Sequence, residues 1–160
     1  MRGANRRHWR FELRQIDVAV GIALRASDGA VLVSRRSTTA HLGGMWEFPG
    51  GKREPGETAE QALRREMLEE VDLEIGVLEA WPAVEHVYPE RCITLYPFLC
   101  AALGESSALE AQEIRWVAVS DLRPELFPEA NAAWIARLQT EAERIVSLIR
   151  ASFPTVLDQA

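Results

Sequence analysis

Residues 50–73 constrain the fold of this chain more than any other segment. Three carboxylates in it, Glu66, Glu69 and Glu70, stand at relative positions i, i+3 and i+4, which share one face of a helix. Three like charges on one face repel one another and destabilise an isolated helix. A hard divalent cation bound to that face, such as Mg²⁺, would remove the repulsion. A glycine-rich loop at residues 48–52 comes shortly before and could bring backbone close to a phosphate or a metal.

Local signals predict where this helix begins and which side it buries. Thr58 followed by Gln61 is a capping-box pattern, which predicts a helix that starts at Ala59. Pro55 and Gly56 supply turn chemistry just before it. Its apolar side consists of Ala62, Leu63, Met67 and Val71. The ordinary alternative for an isolated E-x-x-E-E cluster is a solvated helix face, but the preceding glycine loop favours a metal site.

The same segment resembles the Nudix box, G-x5-E-x7-R-E-U-x-E-E-x-G-U, in which U is a bulky apolar residue. The specified positions that match are Gly51, Glu57, Arg65, Glu66, Met67, Glu69, Glu70 and Leu73. The departure is Asp72, where the pattern has Gly. This position lies just past the predicted helix end, where a left-handed conformation is common, and Asp adopts it more readily than most residues. We therefore expect a somewhat strained helix end beside an intact metal site.

Composition limits the classes of function. The chain has 160 residues, 48% of them hydrophobic, and a formal net charge of −6, which suits one domain and argues against polymeric nucleic acid as a partner. No apolar run approaches the roughly 18 residues that span a bilayer, so no membrane partner is expected. Cys92 and Cys100 lie too far apart in one predicted strand to pair. Two thiols without a disulfide framework suit the cytoplasm. The oligomeric state is not fixed, and a monomer is favoured.

The pattern of apolar runs predicts an α+β fold. Strands are expected at residues 16–25, 30–34, 46–48, 91–101 and 114–119, with one or two more between 73 and 88. Pro97 indicates an edge strand or a bulge, and residues 128–149 have helical spacing. This pattern predicts a mixed β-sheet flanked by helices, and the resemblance implies the Nudix-type α/β/α sandwich. We expect a flexible leader at residues 1–15, a single Nudix hydrolase domain at 16–150 and a C-terminal tail at 151–160.

The resemblance extends beyond the box, over roughly residues 17–137, and within the family it is to the MutT type, which hydrolyses 8-oxo-dGTP. The matching pieces include residues 19–22, 35–36, 40–41, 47–52, 56–58, 60–62, 88–91, 93–95, 127–128 and 130–131, together with Trp116. The resemblance implies a metal-dependent pyrophosphohydrolase that sanitises the nucleotide pool and so serves DNA replication and repair. Its substrate would be an oxidised purine nucleoside triphosphate, and its products the monophosphate and pyrophosphate.

Several residues outside the helix are candidates for substrate binding, each with an ordinary alternative. Arg36 could hold a polyphosphate or be a surface residue at a strand end, and His41 could reach the substrate or be a loop histidine. Phe48 and Tyr88 could flank a purine or pack in the core. Arg91 could contact the ribose or base, or be a solvated hairpin residue.

Asn131 is the candidate for recognition of the base. Its side chain offers an acceptor and a donor in one plane, and 8-oxoguanine carries N7–H and O6, which need that pair. Guanine has a lone pair at N7, so the same pose would bring two acceptors together, a mismatch that discriminates well. The resemblance to the MutT type assigns Asn131 this role. The alternative is an N-cap of the second helix, because Asn is a preferred cap.

The resemblance also implies the metal ligands and the chemistry. Glu66, Glu69 and Glu70, with the Gly50 carbonyl, would hold two or three Mg²⁺ or Mn²⁺ ions, which activate a water and neutralise the polyphosphate. Glu110 would add a further ligand, or else be an exposed loop carboxylate. The proton acceptor is Glu69 or Glu110, Arg65 would orient Glu69, and Glu57 and Lys52 would brace the loop and the phosphates.

Two other functions remain open at this point. One is a Nudix hydrolase of modified pyrimidine nucleotides such as 5-substituted dCTP or CTP, which neither Asn131 nor Tyr88 excludes. The other is a non-catalytic nucleotide- or lesion-binding module. That module predicts a degraded metal box, and the intact pairs Arg65-Glu66 and Glu69-Glu70 argue against it.

Overall fold

The computed structural model describes residues 14–154, and within them the chain forms one mixed β-sheet with a helix on each face. The strands are β1 (Arg14–Leu24), β2 (Val31–Arg35), β3 (Trp46–Glu47), β4 (Gly50–Lys52), β5 (Ile75–Ala80), β6 (Val84–Tyr88), β7 (Arg91–Ala102) and β8 (Ile114–Val117). The helices are α1 (Ala59–Val71) and α2 (Ala132–Ser152). None of the helices in this part of the chain is long and apolar enough to cross a membrane. The predicted α+β architecture is confirmed.

The sheet is centred on β1 and β7, which pair in parallel along the whole length of β1. The order of the main strands is β3-β2-β1-β7-β5, and the other pairings are antiparallel. The short strand β4 also pairs with β1, β6 pairs with β7, and β8 pairs with β2. The loop that follows β3 therefore returns beside the central strand, which places the glycine-rich segment at the middle of the sheet.

The alternation of large and small side chains along β1 explains how the two helices pack against the sheet. Its larger side chains, Val20, Ile22 and Leu24, join the core on the α2 face, whereas Ala19 and Ala23 face α1. Gly21 lies between these alanines, and a Cβ there would be 2.9 Å from Met67 Sδ and 3.1 Å from a methyl of Leu63. Small residues on one face of β1 thus let α1 approach the sheet closely, and this sets the distance between its carboxylates and the glycine loop.

Both predicted boundaries of the domain shift in the structure. β1 begins at Arg14, inside the predicted leader, because Arg14 and Gln15 continue the parallel ladder opposite Arg91 and Cys92. At the other end α2 continues to Ser152, into the predicted tail, and starts only at Ala132. Three 3₁₀ turns, Val119–Asp121, Pro124–Leu126 and Glu129–Asn131, precede it. Residues 1–13 of the predicted leader and 155–160 of the predicted tail lie outside the described residues.

Pro97 is not at a sheet edge, so of the two alternatives predicted from sequence, an edge strand or a bulge, the edge strand is wrong. It lies in β7, which is flanked by β1 on one side and by β5 and β6 on the other. Its carbonyl accepts a hydrogen bond from the Trp81 amide, 2.8 Å away, in the gap between β5 and β6. In a ladder the N–H and C=O of one residue face the same neighbour. Pro97 faces the gap where β7 changes its partner from β6 to β5, so no ladder hydrogen bond there requires the N–H that proline lacks.

Candidate active site

The capping box predicted at the start of α1 is present. The Thr58 hydroxyl accepts from the Gln61 amide at 3.1 Å, and the Gln61 side chain accepts from the Thr58 amide at 2.8 Å. The predicted apolar side is buried, through Ala62, Leu63, Met67 and Val71. Packing and capping together fix the rotation of α1, and they turn its carboxylate face toward the glycine loop and the open end of the sheet.

Two glycines allow that loop to lie against the carboxylates. Gly50 has φ +155°, and a Cβ there would collide with the Ala19 carbonyl. A Cβ on Gly51 would collide with the carboxyl group of Glu66. Any side chain at either position would push the loop away from α1 or from β1. The glycines of the F-P-G-G-K segment are therefore required by close approach of backbone to backbone and of backbone to carboxylate.

Glu70 is the half-buried centre of the acidic cluster. Its carboxylate accepts from the Gly50 amide at 3.1 Å and from the Ser34 hydroxyl at 3.3 Å. Burial is the main reason why its pKa is raised from 4.5 to about 7, and the negative charges of Glu47 and Glu66 add to the effect. The raised pKa therefore reflects burial first, which the hydrogen bonds from Gly50 and Ser34 only partly offset.

Arg65 organises the carboxylates around it. It donates to both oxygens of Glu57, at 2.7 and 3.0 Å, and to Glu66 and Glu69, at 2.9 and 3.1 Å. A fifth bond, at 3.0 Å, goes to the Lys52 carbonyl. The hydrogen bonds from Arg65 are the main reason why the pKa of Glu57 is lowered to about 2. Arg65 thereby connects the glycine loop, the turn before α1 and the metal-facing side of the helix.

Glu47 and Ser34 belong to this site, although sequence reasoning missed both. They face each other across β2 and β3, on the sheet face that α1 covers. Burial raises the pKa of Glu47, while the neighbouring Arg36 opposes this rise and forms an ion pair with it. Arg36 also donates to the His41 carbonyl at 3.0 Å. The available signal was the position of Ser34, a polar residue at the end of the otherwise apolar run Val31–Val33 in a buried strand.

The donor set suits a hard cation, although its side chains are not arranged around one. Within residues 14–154, no three His, Cys, Asp or Glu side chains converge in a geometry that holds a metal. The reason is visible in the contacts: Arg65 engages Glu66 and Glu69, and Glu70 accepts from Gly50 and Ser34. Carboxylate oxygens are the ligands that Mg²⁺ prefers, and a divalent cation would offset the repulsion that Glu47 and Glu66 add at Glu70.

Glu110 is brought to the far end of α1 by its backbone. Its amide donates to the Glu70 carbonyl at 3.2 Å, while its side chain is exposed. The predicted further ligand is therefore next to the helix that carries the other three carboxylates. Within the described residues, its carboxylate does not join Glu66, Glu69 or Glu70 in a group that could hold a metal ion.

Asn131 and Phe48 lie on the opposite face of the sheet, beside α2. Asn131 is 6% exposed and occupies the N-cap position of α2, but its side chain makes no capping hydrogen bond. Phe48 is 4% exposed and packs against Phe127 and Trp134, with ring centroids 5.6 and 6.4 Å apart. Core packing, the ordinary alternative for Phe48, thus accounts for most of its ring. In sequence, Asn131 lies between Phe127 and Trp134, the two residues that pack against Phe48.

The remaining four candidates are exposed residues. Tyr88 and Arg91 lie at the β6–β7 turn, with the guanidinium 5.2 Å from the ring centroid, so Tyr88 is not a core residue. His41 is exposed on the loop between β2 and β3, and Lys52 is exposed at the end of β4. These four side chains are free to meet a ligand without disturbing the core.

His86 is a further polar residue that sequence reasoning missed. Among the described residues, its Nε2 is the one buried side-chain nitrogen or oxygen without a hydrogen-bond partner. His86 pairs with Ile93, and two residues along, Val84 pairs with Leu95, which packs against the α2-side core. By the two-residue alternation of strands, His86 therefore faces the same side of the sheet as Phe48 and Asn131.

Comparison with known proteins agrees with this arrangement. The sequence model of the NUDIX domain matches residues 19–137. The 8-oxo-dGTP diphosphatase of Escherichia coli strain K12 is 37% identical over 128 residues, which cover 79% of this chain and 98% of that protein. The CTP pyrophosphohydrolase of the same organism is 34% identical over 105 residues, covering 65% of this chain and 76% of that protein.

A solved structure shows the same likeness in three dimensions. It comes from a structure and function analysis of MutT from Aliivibrio salmonicida and Vibrio cholerae. The two chains superpose with a TM-score of 0.60 at 30% identity, over 84% of this chain and 98% of that one. The residues that the NUDIX domain model matches contain the glycine loop, α1 and its carboxylates. The chain therefore belongs to the NUDIX domain family of hydrolases.

Proposed function

We propose that this protein hydrolyses an oxidised purine nucleoside triphosphate, of the 8-oxo-dGTP kind, to the monophosphate and pyrophosphate. The observation that carries the proposal is the acidic face of α1, held against the glycine loop by Arg65 and by close glycine contacts. The similarity to an 8-oxo-dGTP diphosphatase over most of both chains supports this substrate class. Removal of such a nucleotide would protect the cytoplasmic pool that supplies DNA replication.

The metal-binding residues in this proposal are Glu66, Glu69 and Glu70 with the Gly50 carbonyl, and Glu110 from the loop before β8. Mg²⁺ or Mn²⁺ bound there would neutralise the polyphosphate and lower the pKa of a bound water. Glu66 and Glu69 would exchange their bonds to Arg65 for the cation, and Glu70 would turn from Ser34. Glu66 and Glu69 share one Arg65 nitrogen, Nη1, and would release it together.

The chain's own residues position the reaction. Glu69 or Glu110 accepts the proton of the attacking water, whose oxygen bonds to phosphorus as the bond to the pyrophosphate oxygen breaks. Arg65 orients Glu69 through its bond of 3.1 Å. Glu57 holds Arg65 in place, and it also accepts from the Glu54 amide at 2.9 Å, which braces the turn before α1.

The substrate would extend from the acidic cluster to the α2 face. Arg36 and His41, on the loop between β2 and β3, and Lys52, at the end of β4, would meet the phosphates, with Arg36 released from Glu47. Asn131 would accept from N7–H and donate to O6 of 8-oxoguanine. Phe48 would form the floor of the base site, and the Tyr88–Arg91 pair would close over the ribose or base.

Hydrolysis of a nucleotide panel tests the proposal. The purified protein should convert 8-oxo-dGTP faster than dGTP, 5-methyl-dCTP or CTP, and only with Mg²⁺ or Mn²⁺ present.

Glu69→Gln should lower kcat by roughly 10² or more, because both water activation and charge neutralisation suffer. Glu60→Gln is a matched control on the same helix, where Glu60 pairs with Arg64 outside the acidic face. Near-normal turnover by Glu69→Gln at saturating metal would show that the assigned ligands are wrong.

A second candidate is hydrolysis of a pyrimidine nucleotide, which the similarity to a CTP pyrophosphohydrolase favours. It shares the acidic face of α1 and differs only in the base site. Fast turnover of CTP or 5-methyl-dCTP, without preference for 8-oxo-dGTP over dGTP, would replace the purine assignment.

A further inference from the structure

The end of α1 has an unusual residue for its backbone conformation. Asp72 has φ +50° and ψ +39°, the left-handed conformation that glycine adopts most easily. Its amide donates to Leu68, and the next amide, of Leu73, donates to Met67, which ends the helix. A carboxylate at a helix C-terminus is also disfavoured by the helix dipole. The left-handed backbone conformation and the helix dipole both favour glycine at this position, so we expect a contact that stabilises Asp72.

That contact is present. The Ser107 hydroxyl donates to the Asp72 carboxylate at 3.1 Å. Ser107 belongs to residues 104–113, which we call the acidic loop, between β7 and β8. The Ser107 amide donates to the Val71 carbonyl at 2.9 Å, so one residue is tied to the helix end by both its backbone and its side chain. A glycine at position 72 would leave the Ser107 hydroxyl without this partner.

The acidic loop then folds back along the helix end. Three successive amides, those of Leu109, Glu110 and Ala111, point at the Glu70 carbonyl, at 3.1, 3.2 and 3.3 Å. Three donors that share one acceptor define the position of the loop but hold its register weakly, because a carbonyl has two lone pairs. The loop could slip by one residue and keep two of these bonds. The Asp72–Ser107 bond lies two residues upstream and resists such a slip.

We propose that Asp72 is a positioning residue that fixes the register of the acidic loop through Ser107, and so directs Glu110 toward the carboxylate face of α1. This inference rests on the proposed function, in which Glu110 is a metal ligand or proton acceptor. Asp72 itself contacts neither substrate nor metal. A slip of one residue would present Leu109 or Ala111 where Glu110 stands, and neither can bind a cation.

Metal activation of the full-length protein tests this role. Asp72→Gly and Ser107→Ala should each raise the Mn²⁺ concentration for half-maximal hydrolysis of 8-oxo-dGTP, by about threefold to tenfold, the effect of one hydrogen bond. Asp72→Asn keeps an acceptor oxygen and should retain most of the wild-type response. The double variant Asp72→Gly/Ser107→Ala should match the single variants, because both remove the same bond. In a Glu110→Gln background, Asp72→Gly should have no further effect.

Amide hydrogen exchange gives a readout that does not depend on activity. The amides of Leu109, Glu110 and Ala111 should exchange about threefold to tenfold faster in Asp72→Gly and Ser107→Ala than in the wild type. Ser120→Ala is the control, since the Ser120 hydroxyl bonds only its neighbour Asp121, in a turn next to the α2-side core. Unfolding midpoints are a poor test, because Asp72→Gly relieves backbone strain while it removes the bond.

The two proposals fail separately in these experiments. Unchanged exchange and unchanged metal activation in both single variants would overturn the role of Asp72, whatever the substrate. An equal effect of Asp72→Gly with and without Glu110 would overturn it too, because the residue would then act on the helix rather than on Glu110. If the wild type hydrolyses no nucleotide, the proposed function fails, and exchange together with Mn²⁺ binding still decides the role of Asp72.

Discussion

Glu70 shows how a single residue of the site is shaped by its surroundings. Local sequence places it on the carboxylate face of α1, but its pKa of about 7 results from burial and from Glu47 and Glu66. Its folded pKa lies above the ordinary 4.5, so between these values the folded state binds more protons than the unfolded state. The contribution of Glu70 to the stability of the cation-free protein therefore falls as pH rises through this window.

Glu70→Gln should remove that pH dependence. In protein treated with a chelator, the variant should be about as stable as the wild type at pH 5 and more stable at pH 8, by up to about 3 kcal/mol. Urea unfolding at both pH values measures this difference. A constant difference between variant and wild type across the range would mean that Glu70 titrates normally.

Asn131 is the residue on which substrate choice depends in our proposal. Asn131→Ala should lower kcat/KM for 8-oxo-dGTP by on the order of 10²-fold, because two buried hydrogen bonds are lost together. Hydrolysis of dGTP should fall much less, since guanine gains little from that pair. Parallel kinetics on the two nucleotides test this expectation. Equal losses for both would indicate that Asn131 only supports the packing between Phe127 and Trp134.

At the scale of an element, α1 is specified by its own sequence and anchored by its first turn. The reciprocal bonds between Thr58 and Gln61 satisfy amides that a helix start otherwise leaves without partners. The same turn holds Glu57, which binds Arg65, so the cap and the site share one short segment. Loss of the cap should loosen both.

Thr58→Ala should therefore cost about 1 kcal/mol of unfolding free energy, as removal of an N-cap does. Thr140→Ala is the matched control, because the Thr140 hydroxyl donates to Ala136 within α2 and caps nothing. Urea denaturation of both variants gives the comparison. A smaller loss in Thr58→Ala than in Thr140→Ala would show that Gln61 alone secures the helix start.

At the scale of the whole molecule, the site exists because the sheet lets α1 come close. Large side chains of β1 build the α2-side core, whereas Gly21 and its neighbouring alanines receive Leu63 and Met67 on the other face. The Pro49 carbonyl accepts from the Gly21 amide at 2.7 Å, so this glycine also anchors the loop. Gly21 thus sets the position of both α1 and the glycine loop.

Gly21→Ala should destabilise the protein by about 1 to 3 kcal/mol, the usual cost of overpacking. Its new methyl would meet Met67 Sδ at 2.9 Å and would push α1 from the sheet. Nucleotide hydrolysis should fall as well, because the carboxylates would move relative to the loop. Gly104→Ala, where a Cβ meets nothing within 4 Å, controls for a general effect of replacing glycine. Thermal unfolding and kcat, measured on both variants, test this prediction.

The sequence by itself determined α1, its cap, its buried side and its carboxylate face, because capping and helical periodicity depend on residues within a few positions of one another. It also predicted the left-handed end at Asp72 and the mixed sheet with helices on both faces. The resemblance to the Nudix box added the chemistry that such a face performs.

Only the tertiary structure brought Ser34 and Glu47 to Glu70, tied Asp72 to Ser107, and let Pro97 sit inside the sheet. Each of these depends on which strands become neighbours and in which register. Strand order and register are set by burial and hydrogen bonding across the whole sheet, between residues far apart in the chain. Local patterns show which residues can face one another but not which partners they meet.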